Sequence, residues 1–127
     1  MPSHVNLGKL GEAQAAVHLQ KIGYKILQIN YRNQFGEIDI IAQDKDVLCF
    51  VEVKTRKSLK AGDPLEAIHS VKQRKLVQMA LLFLKSKKLR MGRIRFDVLA
   101  ITKSRDDKDQ IKLVKNAFDL NDSFSLL

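Results

Sequence analysis

Asp39, Glu52 and Lys54 are the side chains of this sequence best placed to do chemistry together. They fall within residues 36–56, GEIDIIAQDKDVLCFVEVKTR, where two β-branched apolar runs, Ile38–Ala42 and Val47–Val53, flank the polar Gln43–Asp46. Runs this short predict strands rather than helices, and the pair predicts a β-hairpin. With Gln43–Asp46 as a four-residue loop, Ala42 stands opposite Val47, Ile41 opposite Leu48 and Asp39 opposite Phe50. Cross-strand partners share a face, and the period along a strand is two, so Glu52 and Lys54 project with Asp39. Glu52 is then diagonal to Asp39, about 7–8 Å away, close enough for both carboxylates to reach one cation. A two-residue loop preserves this parity and an odd one destroys it.

Carboxylate oxygens suit Mg²⁺, which keeps several waters and takes one or two protein carboxylates. Such an ion activates water and offsets charge on a phosphate oxygen. A neighbouring lysine adds positive charge at the transition state or orients the attacking water. The bland reading of the same residues is a hairpin with one wet face and an ordinary Glu/Lys pair. Cys49, the single cysteine, lies in the most apolar strand and reads as a buried structural thiol, which excludes disulfides and zinc clusters. His4, His18 and His69 have no metal-ligand spacing.

The elements that must position these residues follow from the rest of the pattern. Val5 to Ile22 reads as a helix with Asn6 as N-cap and Gly23 beyond its end. Ala15, Ala16, Leu19 and Ile22 make its apolar stripe, and Glu12 falls on that stripe, where a carboxylate needs a partner. A favourable place near the helix N-terminus is the competing explanation for Glu12. Gly8 and Gly11 permit close approach to a neighbouring element. Tyr24–Arg32 reads as a strand bulged at Ile26-Leu27, followed by a turn over 33–36. Asp63-Pro64-Leu65-Glu66 starts a short helix and Val71–Lys87 forms a longer one, with Leu76, Met79, Ala80 and Phe83 buried. Arg93–Ile101 and Ile111–Phe118 complete the strands, and a loose tail begins at about 121. The order α-β-β-β-α-β-β, with a long connection around the second helix, predicts an α/β domain over 1–127: a mixed β-sheet flanked by helices, with one parallel crossover.

The net charge is +9, and the excess is uneven: Lys54–Arg95 holds 13 basic residues against two acids, Asp63 and Glu66. That asymmetry predicts a polyanion-binding surface, with phosphate contact favoured over base stacking because aromatics are few. The N-terminus has no apolar core of a signal peptide, and Met79–Leu84, the longest apolar run, is too short to span a bilayer. A cytoplasmic protein without membrane attachment is expected.

With Glu12, Asp39, Glu52 and Lys54 in that element order, the chain resembles the restriction-endonuclease-like superfamily of PD-(D/E)XK nucleases. Within it the chain is most similar to the YraN family of bacterial proteins, through GEIDIIA, FVEVKTR and Asn116–Phe118, over Gly8 to Phe118. It also resembles archaeal Holliday-junction resolvases, whose helix Glu, strand Asp and Glu-x-Lys match Glu12, Asp39, Glu52 and Lys54. Ile38, not proline, precedes Asp39; that proline is often missing in the superfamily. The resemblance implies a restriction-endonuclease-like fold and a nuclease dependent on Mg²⁺ or Mn²⁺ that cuts DNA, branched or damaged forms included. Asp39 and Glu52, assisted by Glu12, would hold the metal, and Lys54 would serve the water or transition state. Arg56, Lys57, Lys72, Arg74 and Lys75 would hold phosphates, and the resolvase likeness allows a homodimer. The alternatives are a non-catalytic nucleic-acid-binding module of the same fold and, more weakly, an adaptor docking an acidic protein. Three acids beside a phosphate groove favour the enzyme, because without a cation they repel DNA.

Overall fold

The computed structural model describes residues 7–57, 70–88, 92–106 and 108–118. Its elements are α1 (Leu7–Lys21), β1 (Lys25–Asn33), β2 (Gly36–Asp44), β3 (Val47–Arg56), α2 (Ser70–Ser86), β4 (Ile94–Thr102) and β5 (Gln110–Val114). This is the expected α-β-β-β-α-β-β order. The strands form one mixed sheet in the order β1-β2-β3-β4-β5, antiparallel except for the parallel pair β3 and β4. A parallel neighbour requires a long crossover, and the segment carrying α2 supplies it. Asn6, His4, His69, the 63–66 helix start and the tail from about 121 lie outside the described residues.

The sheet separates two cores. On one face α2 buries Leu76, Val77, Met79, Ala80 and Phe83 against Ile38, Ile41, Phe50, Phe96 and Val98. On the other face α1 buries Ala15, Ala16 and Leu19 against Ile40, Ala42, Cys49, Val51, Leu99 and Ile101. Burial of the thiol raises the pKa of Cys49, consistent with an inert structural residue. β4 is covered on both faces, and its buried Asp97 is satisfied by Arg95 Nε at 2.8 Å, the backbone N–H of Asn116 at 3.0 Å and the Tyr24 hydroxyl at 3.3 Å.

Three expectations change. The β2–β3 loop has two residues, Lys45-Asp46, because Asp44 pairs with Val47, Ala42 with Cys49 and Ile41 with Phe50. Lys45 takes a left-handed conformation, φ 57°, which suits so short a connection. The register thus shifts by two and keeps its parity. Ile22 is 48% exposed instead of buried, since α1 ends at Lys21 and Gly23, φ 100°, turns the chain away. The last strand stops at Val114: Asn116, φ 53°, bends the chain so that its N–H reaches Asp97 and Phe118 stacks on Phe96 with centroids 4.6 Å apart. The β1 bulge falls between Ile26 and Gln28 as the sequence indicates.

Gly11 sets how closely α1 can lie on β3. A Cβ placed there would collide with Thr55 Oγ1, so the helix approaches only because that atom is missing. At an unconstrained helix interior, glycine to alanine stabilises by about 1 kcal/mol. Here Gly11→Ala is expected to destabilise instead, by about 1–3 kcal/mol, as overpacking does. Urea titration checks this, and the double variant Gly11→Ala/Thr55→Ala should recover most of the loss.

Candidate functional site

The site forms where β2 and β3 part. Their paired residues run from Asp44 and Val47 to Ile40 and Val51 and go no further. Continued one step, the register sets Asp39 level with Glu52. At the next position the Val53 N–H donates to Asp39 Oδ2 at 2.8 Å, so a side chain replaces the strand partner. The alternation of β2 breaks here too: Ile38 packs with the α2 core although Ile40 packs with the α1 core. Asp39 thereby enters a gap reached from both faces of the sheet.

A cavity of about 610 Å³ opens at this gap, lined by Glu12, Asp39, Glu52, Val53, Lys54, Thr55, Arg56, Lys57 and Lys103. The four residues singled out from the sequence meet in it. Glu12 arrives on α1 directly after Gly11, whose contact with Thr55 fixes how deep the carboxylate reaches. Carboxylate oxygens of Glu12, Glu37 and Asp39 lie within 4.8 Å of one another. Glu52 lines the same cavity without joining that trio. Its Oε1 accepts from Lys72 Nζ at 2.6 Å and lies 3.7 Å from Lys54 Nζ.

Burial, the neighbouring Glu52 charge and Glu12 push the Asp39 carboxyl up to about 8 against the opposing hydrogen bond from Val53. Lys54 is lowered, first by burial and then by the ammonium of Lys72 beside it. Burial pulls Lys72 the same way, but its hydrogen bond to Glu52 and the Glu52 charge leave it raised. Three converging carboxylates, one of them kept protonated by burial and by its acidic neighbours, fit a hard, oxygen-seeking divalent cation.

Of the basic residues expected to meet phosphate, Arg56 and Lys57 line the cavity and Lys72 reaches it through Glu52. Arg56 Nε also donates to Thr102 Oγ1 at 3.2 Å, which steadies it at the rim. Lys75 borders a separate groove, and the exposed Arg74 lines neither. Two residues were not anticipated. Glu37 precedes Asp39 by two positions on β2 and is the third acid of the trio; its i, i+2 relation to Asp39 was the available signal. Glu37 is also paired with Arg32 at 3.3 Å. Lys103, beyond β4, joins the rim while bonded to Gln14 and Asp109, and no short-range pattern could have placed it there.

A family model described as uncharacterised protein family UPF0102 matches residues 11–101. The chain belongs to the UPF0102 family. A UPF0102 protein of Syntrophus aciditrophicus is 45% identical over 120 residues, 94% of either chain. Another from Caldicellulosiruptor saccharolyticus is 45% identical over 113 residues, 88% of this chain and 96% of its own. A UPF0102 protein of Rhodococcus opacus is 41% identical over 118 residues, 93% of this chain and 100% of its own. The UPF0102 match spans α1 through β4, and so includes Glu12, Glu37, Asp39, Glu52, Lys54 and Lys72. Among the described residues, no helix is long and apolar enough to cross a membrane.

The Asp39 shift makes metal-free stability depend on pH. An unfolded aspartate ionises near 3.9, whereas the folded carboxyl holds its proton to about 8. Between those values the folded state binds the extra proton, so stability falls as pH rises, by on the order of 1 kcal/mol per pH unit at most. Asp39→Asn removes this contribution. Thermal unfolding in EDTA from pH 5 to 8.5 should show a shallower decline for the variant than for the parent; parallel curves would show that Asp39 ionises normally.

Proposed function

We propose that this UPF0102 protein is a Mg²⁺-dependent nuclease that cuts DNA phosphodiester bonds, with branched or damaged DNA as the substrate class. The observation that supports it most is a cavity lined by Glu12, Asp39, the buried Glu52 and Lys54 under a rim of Arg56, Lys57 and Lys103, with Glu37 converging on Glu12 and Asp39 from the groove beside it. A binding module needs only the rim. The acids oppose a polyanion unless a cation neutralises them, so their retention beside basic side chains favours hydrolysis.

Asp39, Glu12 and Glu37 would hold the ion, and Glu52 lies across the gap to complete the set. A divalent ion bound there lowers the pKa of water and offsets charge on a phosphate oxygen. Asp39 is the acid most changed by it, since a cation lets the carboxyl ionise. Lys54 extends from β3 beside Glu52 and can hold the attacking water or the developing charge without being a ligand. Arg56 and Lys57 position the backbone on either side of the reacting phosphate, a role independent of base sequence.

Cleavage of duplex, flap, four-way junction and single-stranded DNA with Mg²⁺ or Mn²⁺ tests this reading. Lys54→Ala should lose on the order of 10²–10³ in rate, the cost of removing one preorganised electrostatic donor, and still bind metal. Asp39→Asn should lose metal and rate together, while its metal-free DNA binding holds or improves. If parent and variants are equally inactive on every substrate yet bind DNA, the protein is a binding module. Equal activity in all three would place the cleavage outside this site.

A further inference from the structure

Lys72 reaches from α2 to Glu52 at the edge of the acidic gap, and three features distinguish this contact from an ordinary surface ion pair. Glu52 is a buried carboxylate, only 9% exposed, and such a group needs a charged partner. The 2.6 Å bond from Lys72 Nζ meets the same Oε1 that Lys54 approaches at 3.7 Å, so two ammonium groups compete for one oxygen. Lys72 is also the third residue of α2, where the helix dipole opposes a cation, so Glu52 rather than the helix draws it there. The ammonium has a second place to go: Lys72 also lines a groove of about 330 Å³ with Phe35, Glu37, Val71 and Lys75, whose acid, Glu37, belongs to the carboxylate trio that a bound ion would neutralise. A lysine stem is flexible enough to swing between the two.

We propose that the Lys72 ammonium is a stand-in cation that holds Glu52 until a divalent ion enters, and is then released toward substrate phosphate at the α2 groove. This rests on the metal site of the nuclease reading and adds its regulation. A divalent ion drawn to the Glu52 carboxylate would repel the Lys72 ammonium 2.6 Å from its Oε1, so the two cations compete for Glu52. Competition has a reciprocal signature: what draws Lys72 away tightens metal binding, and metal binding frees Lys72 for phosphate by the same factor. In the resting protein Lys72 is the cation held against Glu52, and the ion takes that place when it enters.

The test is Mn²⁺ affinity by calorimetry on the full chain without nucleic acid, for parent, Lys72→Met, Lys72→Gln, Glu52→Gln, the double variant Glu52→Gln/Lys72→Met and Asp39→Asn, each checked for folding by circular dichroism. Lys72→Met and Lys72→Gln should bind Mn²⁺ about 5- to 50-fold more tightly than parent, the usual range of coupling between two sites. In the Glu52→Gln background the Lys72 substitution should have no effect, because the contested oxygen is gone. Equal or weaker Mn²⁺ binding by both Lys72 variants, with parent binding abolished by Asp39→Asn, would overturn the stand-in role and leave the nuclease reading intact. Failure of parent and both Lys72 variants to bind Mn²⁺ would overturn both. Binding only after Lys72 is removed would support the stand-in role in its strongest form.

Discussion

Glu12, Glu37, Asp39 and Glu52 are carried by α1, β2 and β3 to one end of a parted strand pair, and like charges so close cannot all remain ionised uncompensated. Each local feature of the cavity answers that repulsion. The Val53 N–H donates to Asp39, Arg32 pairs with Glu37, and Lys54 and Lys72 crowd onto one oxygen of Glu52. The compensation is incomplete, since Asp39 still holds its proton far above the ordinary carboxylate range. That shortage of positive charge is what the proposed divalent cation would make good.

The fold exists to hold that shortage in place. Two cores, one under each helix, clamp the sheet from both faces, so β2 and β3 can separate at Ile40 without the sheet losing its register elsewhere. The parallel β3–β4 pair extends from Leu48 with Ile94 to Arg56 with Thr102, and so stiffens β3 through Glu52 and Lys54 beyond the point where β2 leaves it. At the far side, Arg95, Asp97 and Tyr24 form a buried network whose charges are matched, with Arg95 Nη2 bonded to the Tyr24 hydroxyl at 2.6 Å. The contrast is one of partners: buried Asp97 has hydrogen-bond donors in Arg95, Tyr24 and the Asn116 N–H, whereas half-buried Glu12, Glu37 and Asp39 converge on one another.

Much of this was legible in the sequence because period-two and helical patterns report which face is buried. The hairpin, the inward Glu12 beside small residues, the α2 stripe and the element order all follow from such patterns. The four-residue loop did not hold, because the conformation of Lys45 is set by strand twist rather than by any Gly or Asn the eye would find. Its failure was harmless only because the register moved by two. Glu37 stands in the same period-two relation to Asp39 as Lys54 does to Glu52, and what the pattern does not carry is its approach to Glu12 on α1. That Asp97 is buried, because β4 lies between β3 and β5 and is covered on both faces, is a tertiary fact. The bond between Lys72 and Glu52 joins α2 to β3 across a loop closure that no local pattern encodes.

Membership of UPF0102 fixes kinship without fixing chemistry, so the weight falls on the acid cluster and whether it holds an ion. The most direct measurement is a crystal structure of the protein soaked in Mn²⁺, with the ion located by its anomalous scattering. The account predicts one strong peak in the gap between β2 and β3, within coordination distance of Asp39 and at least one of Glu12, Glu37 and Glu52. A Mn²⁺-saturated crystal with no peak there, or with its ions only at exposed surface acids, would contradict it.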